Sequence, residues 1–309
     1  MRKSYEIDMC SGPLLSRILL FAIPLICSGV LQLVFNATDI IVVGRFVSSN
    51  AMAAVGSTSS LINLLVNFFI GISVGANVLV ARFRGANDFD DAQETVQTAL
   101  ITAVAGGFVL IALGILLARP MLVWMATPDE VISQAVLYMR VYLIGMPATM
   151  LYNFGAAILR AVGDTRRPLY FLTLAGLVNV AGDLLFVLVL DMGVAGVAVA
   201  TVISQIISAT LIVLCLMRQD GMCNVNLRRM RFHRDKFLRI MQVGLPAGLQ
   251  SVIFNISNVL IQSSINSFGA TVVAGNTAAS NIEGFVYTSM NALYQTSLSF
   301  TSQNLGARQ

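Results

Sequence analysis

LLSRILLFAIPLICSGVLQLVFNATDIIVV, residues 14 to 43, carries only two charges, Arg17 and Asp39. About 20 mostly apolar residues cross a bilayer as a helix, so this stretch predicts a membrane span. Seven more of the kind follow between charged or Gly/Pro-rich breaks, at 51–80, 93–118, 131–158, 169–190, 194–217, 238–265 and 270–302. Of the 309 residues, 57% are apolar and 11% charged, with a mean hydropathy of +0.81. That is under half the charge of an average soluble domain, too little to build a water-facing surface. The expected fold is an all-α polytopic membrane protein with about eight transmembrane helices. The first span is longer than a signal-peptide core and lacks a small-residue cleavage site, so it is expected to stay in the mature protein.

Charge placement orients the spans. With the N-terminus inside, sixteen basic residues fall on the inner side: Arg2, Lys3, Arg17, Arg82, Arg84, Arg160, Arg166, Arg167, Arg218, Arg228, Arg229, Arg231, Arg234, Lys236, Arg239 and Arg308. Arg45 and Arg119 fall outside, and Arg140 lies near the outer end of the fourth span. Positive loops stay in the cytoplasm, so the basic pI of about 9.0 reports topology rather than a nucleic-acid partner. The run Arg228 to Lys236 reads first as a retained cytoplasmic loop, with anionic lipid head groups as a possible contact.

Enzyme chemistry finds little support. Cys10, Cys27, Cys215 and Cys223 have no CxxC spacing, and His233 is the only imidazole, so a disulfide scaffold, zinc site or haem site is not expected. No HExxH motif occurs. The expectation is a protein that is not an enzyme and carries no cofactor or metal.

The spans contain a repeat. Pro24, Phe35-Asn36, Gly56 and Gly85-Ala86 recur in order as Pro246, Phe254-Asn255, Gly275 and Gly306-Ala307, offset by 219 to 222 residues. Six spans return the chain to its starting side, so the copies are parallel. The expected organisation is a six-helix lobe over 1–217, a basic inter-lobe loop over 218–236, and two helices of an incomplete second lobe over 237–309, a chain truncated after its eighth helix.

Twelve of the fifteen acids lie in loops or at helix ends; the exceptions are Asp39, Asp183 and Glu283. A carboxylate inside a membrane costs about 2.5 to 3.5 kcal/mol on insertion scales and reads as a functional site. At 1.5 Å per residue, Asp39 lies about 7 Å and Asp183 about 10 Å from the outer ends of the first and fifth spans, so they share one level. Gln32 and Asn36 precede Asp39 on its helix, and Asn179 precedes Asp183 by one turn. Tyr138 and Thr201 fall at a similar depth on the fourth and sixth spans. For Asn36, Tyr138 and Thr201, plain interhelical hydrogen bonding is an equal reading. Glu283 stands apart as a secondary candidate, since its counterpart in the first copy is uncharged. Pro24 is a candidate hinge on the helix that carries Asp39, and Gly145 with Pro147 marks a break in the fourth span. Gly71 and Gly75 predict close helix packing on the second.

Several motifs resemble the multidrug and toxic compound extrusion (MATE) transporters: NATD at 36–39, VGRF at 43–46, ILRAVGDTRRP at 158–168, NVAGD at 179–183, GVAGVAVATVISQ at 193–205 and SQNLGA at 302–307. The resemblance runs through the whole chain and is most specific over 151–205. It points to the DinF-like branch and implies two pseudo-symmetric six-helix lobes in a bacterial cytoplasmic membrane. It further implies a cation-coupled antiporter that exports organic cations or amphipathic drugs, monomeric when full length and in contact with membrane lipids. In that branch the ion-coupling residues match Asp39 and Asp183, with Gln32, Tyr138, Asn179 and Thr201 in the surrounding network. Leu184 stands where many relatives have proline. Between Asp235 and Glu283 there is no glutamate, so a sodium site in the second lobe is not supported and a proton is the expected coupling ion. The alternatives are a lipid or glycan-lipid flippase of the same shape, which needs a basic cavity, and an inactive truncated transporter.

Overall fold

In a computed structural model the chain is a bundle of long helices. It describes residues 5–125, 127–219, 221–226, 230–266 and 270–309; Arg2, Lys3, Arg228 and Arg229, and the surroundings of Gly275, lie outside that description. The helices are α1 (Leu14–Phe46), α2 (Ser49–Gly85), α3 (Phe89–Trp124), α4 (Asp129–Ile144), α5 (Met146–Ala161), α6 (Arg166–Leu184), α7 (Gly193–Arg218), α8 (Arg234–Asn266) and α9 (Ala270–Gly306). Among the described residues six are long and apolar enough to cross a membrane, or seven if α4 and α5 count as one span bent by 49°. In α9 the last turns carry Thr296, Ser299, Ser302 and Gln303, all buried.

Turn chemistry sets the helix ends. Ser48 Oγ accepts from Ala51 N at 3.0 Å and Asp88 Oδ1 from Asp91 N at 3.2 Å, satisfying first-turn N–H groups of α2 and α3. The single residue Gly145 separates α4 from α5, and Pro147 opens α5, where a missing N–H is harmless. The sequence break at this position is therefore real. At Pro24 the outcome differs: α1 stays helical through the proline, and Ser28 Oγ donates to the Pro24 carbonyl at 2.9 Å. One backbone hydrogen bond is lost there, not the helix.

Met146, Met150, Phe154, Ile158, Ile212 and Leu216 are fully buried where α3, α5 and α7 meet. Around the outside, Ile41, Val109, Leu116, Leu177 and Ile253 are exposed. An apolar surface this extensive would aggregate in water and suits lipid tails.

Glycines let α2 touch α8 and α9 backbone to backbone. A β-carbon on Gly71 would strike Gly248, and one on Gly75 would strike the Ile240 carbonyl, so the small-residue pair packs closely, as its spacing predicts. At the far end of α2, Gly85 abuts Gln303 and Ala307, while Gly306 abuts Arg82 and Ala86. The pairs 82 and 303, 85 and 306, and 86 and 307 are each 221 residues apart, so the contact is reciprocal. We term this end, which also carries Arg84, Arg160, Arg166, Arg167 and Arg234, the basic end.

Candidate functional site

Asp39 lies near the end of α1 remote from the basic end, and Asp183 lies in the last turn of α6. Close approach of the two helices rests on Gly176, where any side chain would overlap the Phe35 ring. The two carboxyls come within hydrogen-bonding reach of each other. That contact is a bond only when one of them holds a proton. As two carboxylates, Asp39 Oδ1 and both Asp183 oxygens have no partner.

Nearby groups are polar and uncharged. Asn179 Nδ2 donates to Thr201 Oγ1 at 3.4 Å, and Thr201 Oγ1 donates to the Val197 carbonyl at 2.9 Å. Tyr138 is buried beside both carboxyls, its ring 6.0 Å from that of Tyr142. Arg140 does not reach the pair: its Nη2 donates to the Ile115 carbonyl at 3.4 Å. Among the described residues no cation forms an ion pair with either acid. Immediately after Asp183 and Leu184 the helix widens into a π-helical segment, Leu185–Val189, in which Leu190 N donates to the Leu185 carbonyl at 3.1 Å. The helix thus loosens beside the acid although Leu184 is not proline, a geometry that recurs at functional sites.

The structure brings Asp39, Asp183, Tyr138, Asn179 and Thr201 together. It leaves Gln32 and Asn36 on the exposed side of α1, and Glu283 exposed on α9. Two residues of the cluster were not expected. Tyr142 lies near Asp39 and beside Gln205. A β-carbon on Gly145, at the α4–α5 break, would strike Gln205 Oε1. The signal for Tyr142 was its place one turn after Tyr138; Gln205 sits four residues after Thr201 in the glycine-rich motif.

The family model described as MatE matches residues 24–185, more than half of the chain and including Asp39, Tyr138, Asn179 and Asp183. The chain belongs to the MatE family. This is a family of transporters rather than enzymes, and its member here is a multi-pass membrane protein. The chain is 29% identical over 299 residues to the probable multidrug resistance protein YoeA of Bacillus subtilis (strain 168), covering 94% of this chain and 64% of that protein. It is 28% identical over 301 residues to the probable multidrug resistance protein YpnP of the same organism, covering 97% and 67%. Among solved structures, one described as the outward-facing conformation of a multidrug resistance MATE family transporter superposes with a TM-score of 0.91 at 25% identity, over 100% of this chain and 68% of that one. The MatE chain thus spans about two thirds of the length of these relatives.

Proposed function

We propose that this protein, as part of a full-length transporter, exports organic cations or amphipathic drugs across a bacterial cytoplasmic membrane in exchange for protons. The observation that carries the reading is the Asp39–Asp183 pair, two carboxyls facing each other with unpartnered oxygens and, among the described residues, no cation paired with them. Two carboxyls this close do not both ionise cheaply, so a proton or a cationic substrate satisfies the same site. Competition between the two is the coupling. Asn179, Tyr138 and Thr201 give the acids a polar, uncharged surrounding, Gln32 and Asn36 face the route substrate takes, and Pro24 gives α1 a point of flexure. The multidrug resistance relatives support the substrate class.

In this reading the basic end is cytoplasmic, residues 1–217 form one lobe, and α8 and α9 begin a second. The reciprocal contact of Gly85 and Gly306 supports the repeat. A flippase for pyrophosphate-linked lipids calls for a basic cavity, and Arg140 is engaged elsewhere. The test is Asp39→Asn in the full-length protein in energised membrane vesicles. It should insert normally and lose proton-driven export; normal export would make the pair structural and end the proposal.

A further inference from the structure

Residues 5–13, ahead of α1, belong to no helix, yet they are tied down on both sides of the seam where α2 meets α9 at the basic end. On one side, Glu6 Oε2 pairs with Arg84 Nη2 at 2.8 Å and Glu6 Oε1 accepts from Gln219 Nε2 at 2.7 Å. Ile7 N donates to the Gly163 carbonyl at 3.2 Å, and Gly163, at φ +95°, has no β-carbon where the Ile7 backbone passes. The Arg167 guanidinium stands 5.3 Å over the Tyr5 ring. On the other side the hydrogen-bond partners are on α9. Met9 N donates to Gln303 Oε1 at 3.2 Å, and Asn304 Nδ2 donates to the Met9 carbonyl at 3.0 Å. The Met9 side chain is buried against Phe21 and Phe300, whose rings meet edge to face at 5.7 Å.

We propose that residues 5–9 are a latch, which holds the basic end shut by joining α2 and the α5–α6 turn to α9. The reach of the chain makes it one. Ile7 and Met9 are two residues apart, and an extended chain covers at most about 3.6 Å per residue. Any separation of α2 from α9 beyond a few ångströms therefore breaks one set of contacts. The α9 side is the one that gives: its polar contacts to the strap are two neutral hydrogen bonds beside the apolar Met9–Phe300 contact, while the other side has an ion pair, and charge-assisted bonds are the stronger. Asp8 binds Ser11 and Arg17, fastening the strap to the first turn of α1, so the latch moves with the helix that carries Asp39. In that last respect it rests on the export reading; the latch itself does not.

Opening is read as a distance. In the full-length protein, freed of native cysteines and placed in lipid nanodiscs, nitroxide labels replace Asp90 on the α3 side and Leu305 on α9, both exposed. Gln303→Ala with Asn304→Ala removes the α9 half of the latch. Two hydrogen bonds of ordinary strength shift a two-state ratio on the order of tenfold, so the long-distance population should rise by about that factor. The same distance distribution in a folded double variant overturns the proposal. Should that variant misfold, Met9→Cys with Asn304→Cys decides. The cross-linked protein should keep only the short distance and recover the long one on reduction, and opening with the cross-link intact overturns the latch. Neither readout uses transport. A seam that opens as expected in a protein that exports nothing keeps the latch and ends the export reading.

Discussion

Gly85 and Gly306 deny each other a side chain: a methyl group on either would enter the backbone of the other's helix, at Gln303 and at Arg82. Backbone cannot swing aside as a rotamer does, so the helices must part. Gly306→Ala should lower stability by about 1 to 3 kcal/mol, the range for inserting a methyl into a packed contact. Gly85→Ala should match it, and the double variant should lose less than the sum, because both act on one contact. Gly56→Ala is the control: no atom lies within 4 Å of its added methyl, and a helical alanine is favoured over glycine. Thermal unfolding in detergent measures all four. A Gly306→Ala protein as stable as Gly56→Ala would show that the seam is not closely packed in the membrane.

Labelling from outside the cell checks the orientation. Ser48→Cys, in the short turn between α1 and α2, should react with a membrane-impermeant maleimide in intact cells. Ser16→Cys and Asn226→Cys, toward the basic end, should react only after the membrane is opened. All three positions are exposed in the structure, so protection reports the membrane rather than packing. Reversed accessibility would overturn the orientation drawn from charge.

Asp164, in the turn between α5 and α6, gives a pH dependence of stability. Its Oδ1 accepts from Arg166 N and Arg167 N, each at 3.1 Å, while Oδ2 stands 3.1 Å from Arg167 Nε without hydrogen-bond alignment. Burial pushes this carboxyl above its ordinary value, outweighing the N–H donors and the arginine. A raised value means that the fold binds the proton more tightly than the unfolded chain. The contribution of Asp164 is therefore largest when it is protonated, below about pH 4, and falls as pH rises through the shifted value. Asp164→Asn keeps an acceptor for the two N–H groups and does not titrate. Its stability relative to the parent should improve from about pH 4 toward neutrality and then level off. A relative stability that worsens over that range would mean that the Arg167 pair outweighs burial.

Hydropathy made the spans legible, because a helix in lipid must be apolar over its whole length. Depth counting alone brought Asp39 to Asp183. The bend at Gly145 was legible too, since Pro147 cannot donate to the preceding turn. The rest depends on contacts that have no sequence period. Gln205 reaches the site across the space left by Gly145, and nothing in its sequence surroundings separates it from an ordinary polar residue on α7. Met9 is held through its backbone by amides 294 and 295 positions away, and Glu6 by Arg84 and Gln219, 78 and 213 positions away, pairings that no local spacing signals. Gln32 and Asn36 share helix α1 with Asp39 but lie on its exposed side, because α1 packs on α6 through Phe35.

How the two acids divide the work follows from their surroundings. Asp183 is wholly buried, and Asn179, one turn before it on α6, is engaged with Thr201; Asp39 is only partly buried and sits on the helix that contains Pro24 and begins at the latch. The less deeply buried acid is the one that a proton or a substrate reaches first. The buried one has the fixed neighbours needed to hold a shared proton or orient a ligand. Asp39→Asn should therefore abolish drug efflux together with its pH dependence, since no group would remain on α1 to exchange proton for cation. Asp183→Asn leaves an amide that can donate to Asp39, and should give weaker export that still responds to pH. Efflux measured against external pH in the full-length protein, at fixed membrane potential and with sodium present or absent, reads both variants beside the parent. The reverse assignment would place the exchanging proton on α6 and leave flexure of α1 without a trigger. A parent indifferent to pH but dependent on sodium would replace the proton with a metal ion at the same pair of carboxyls.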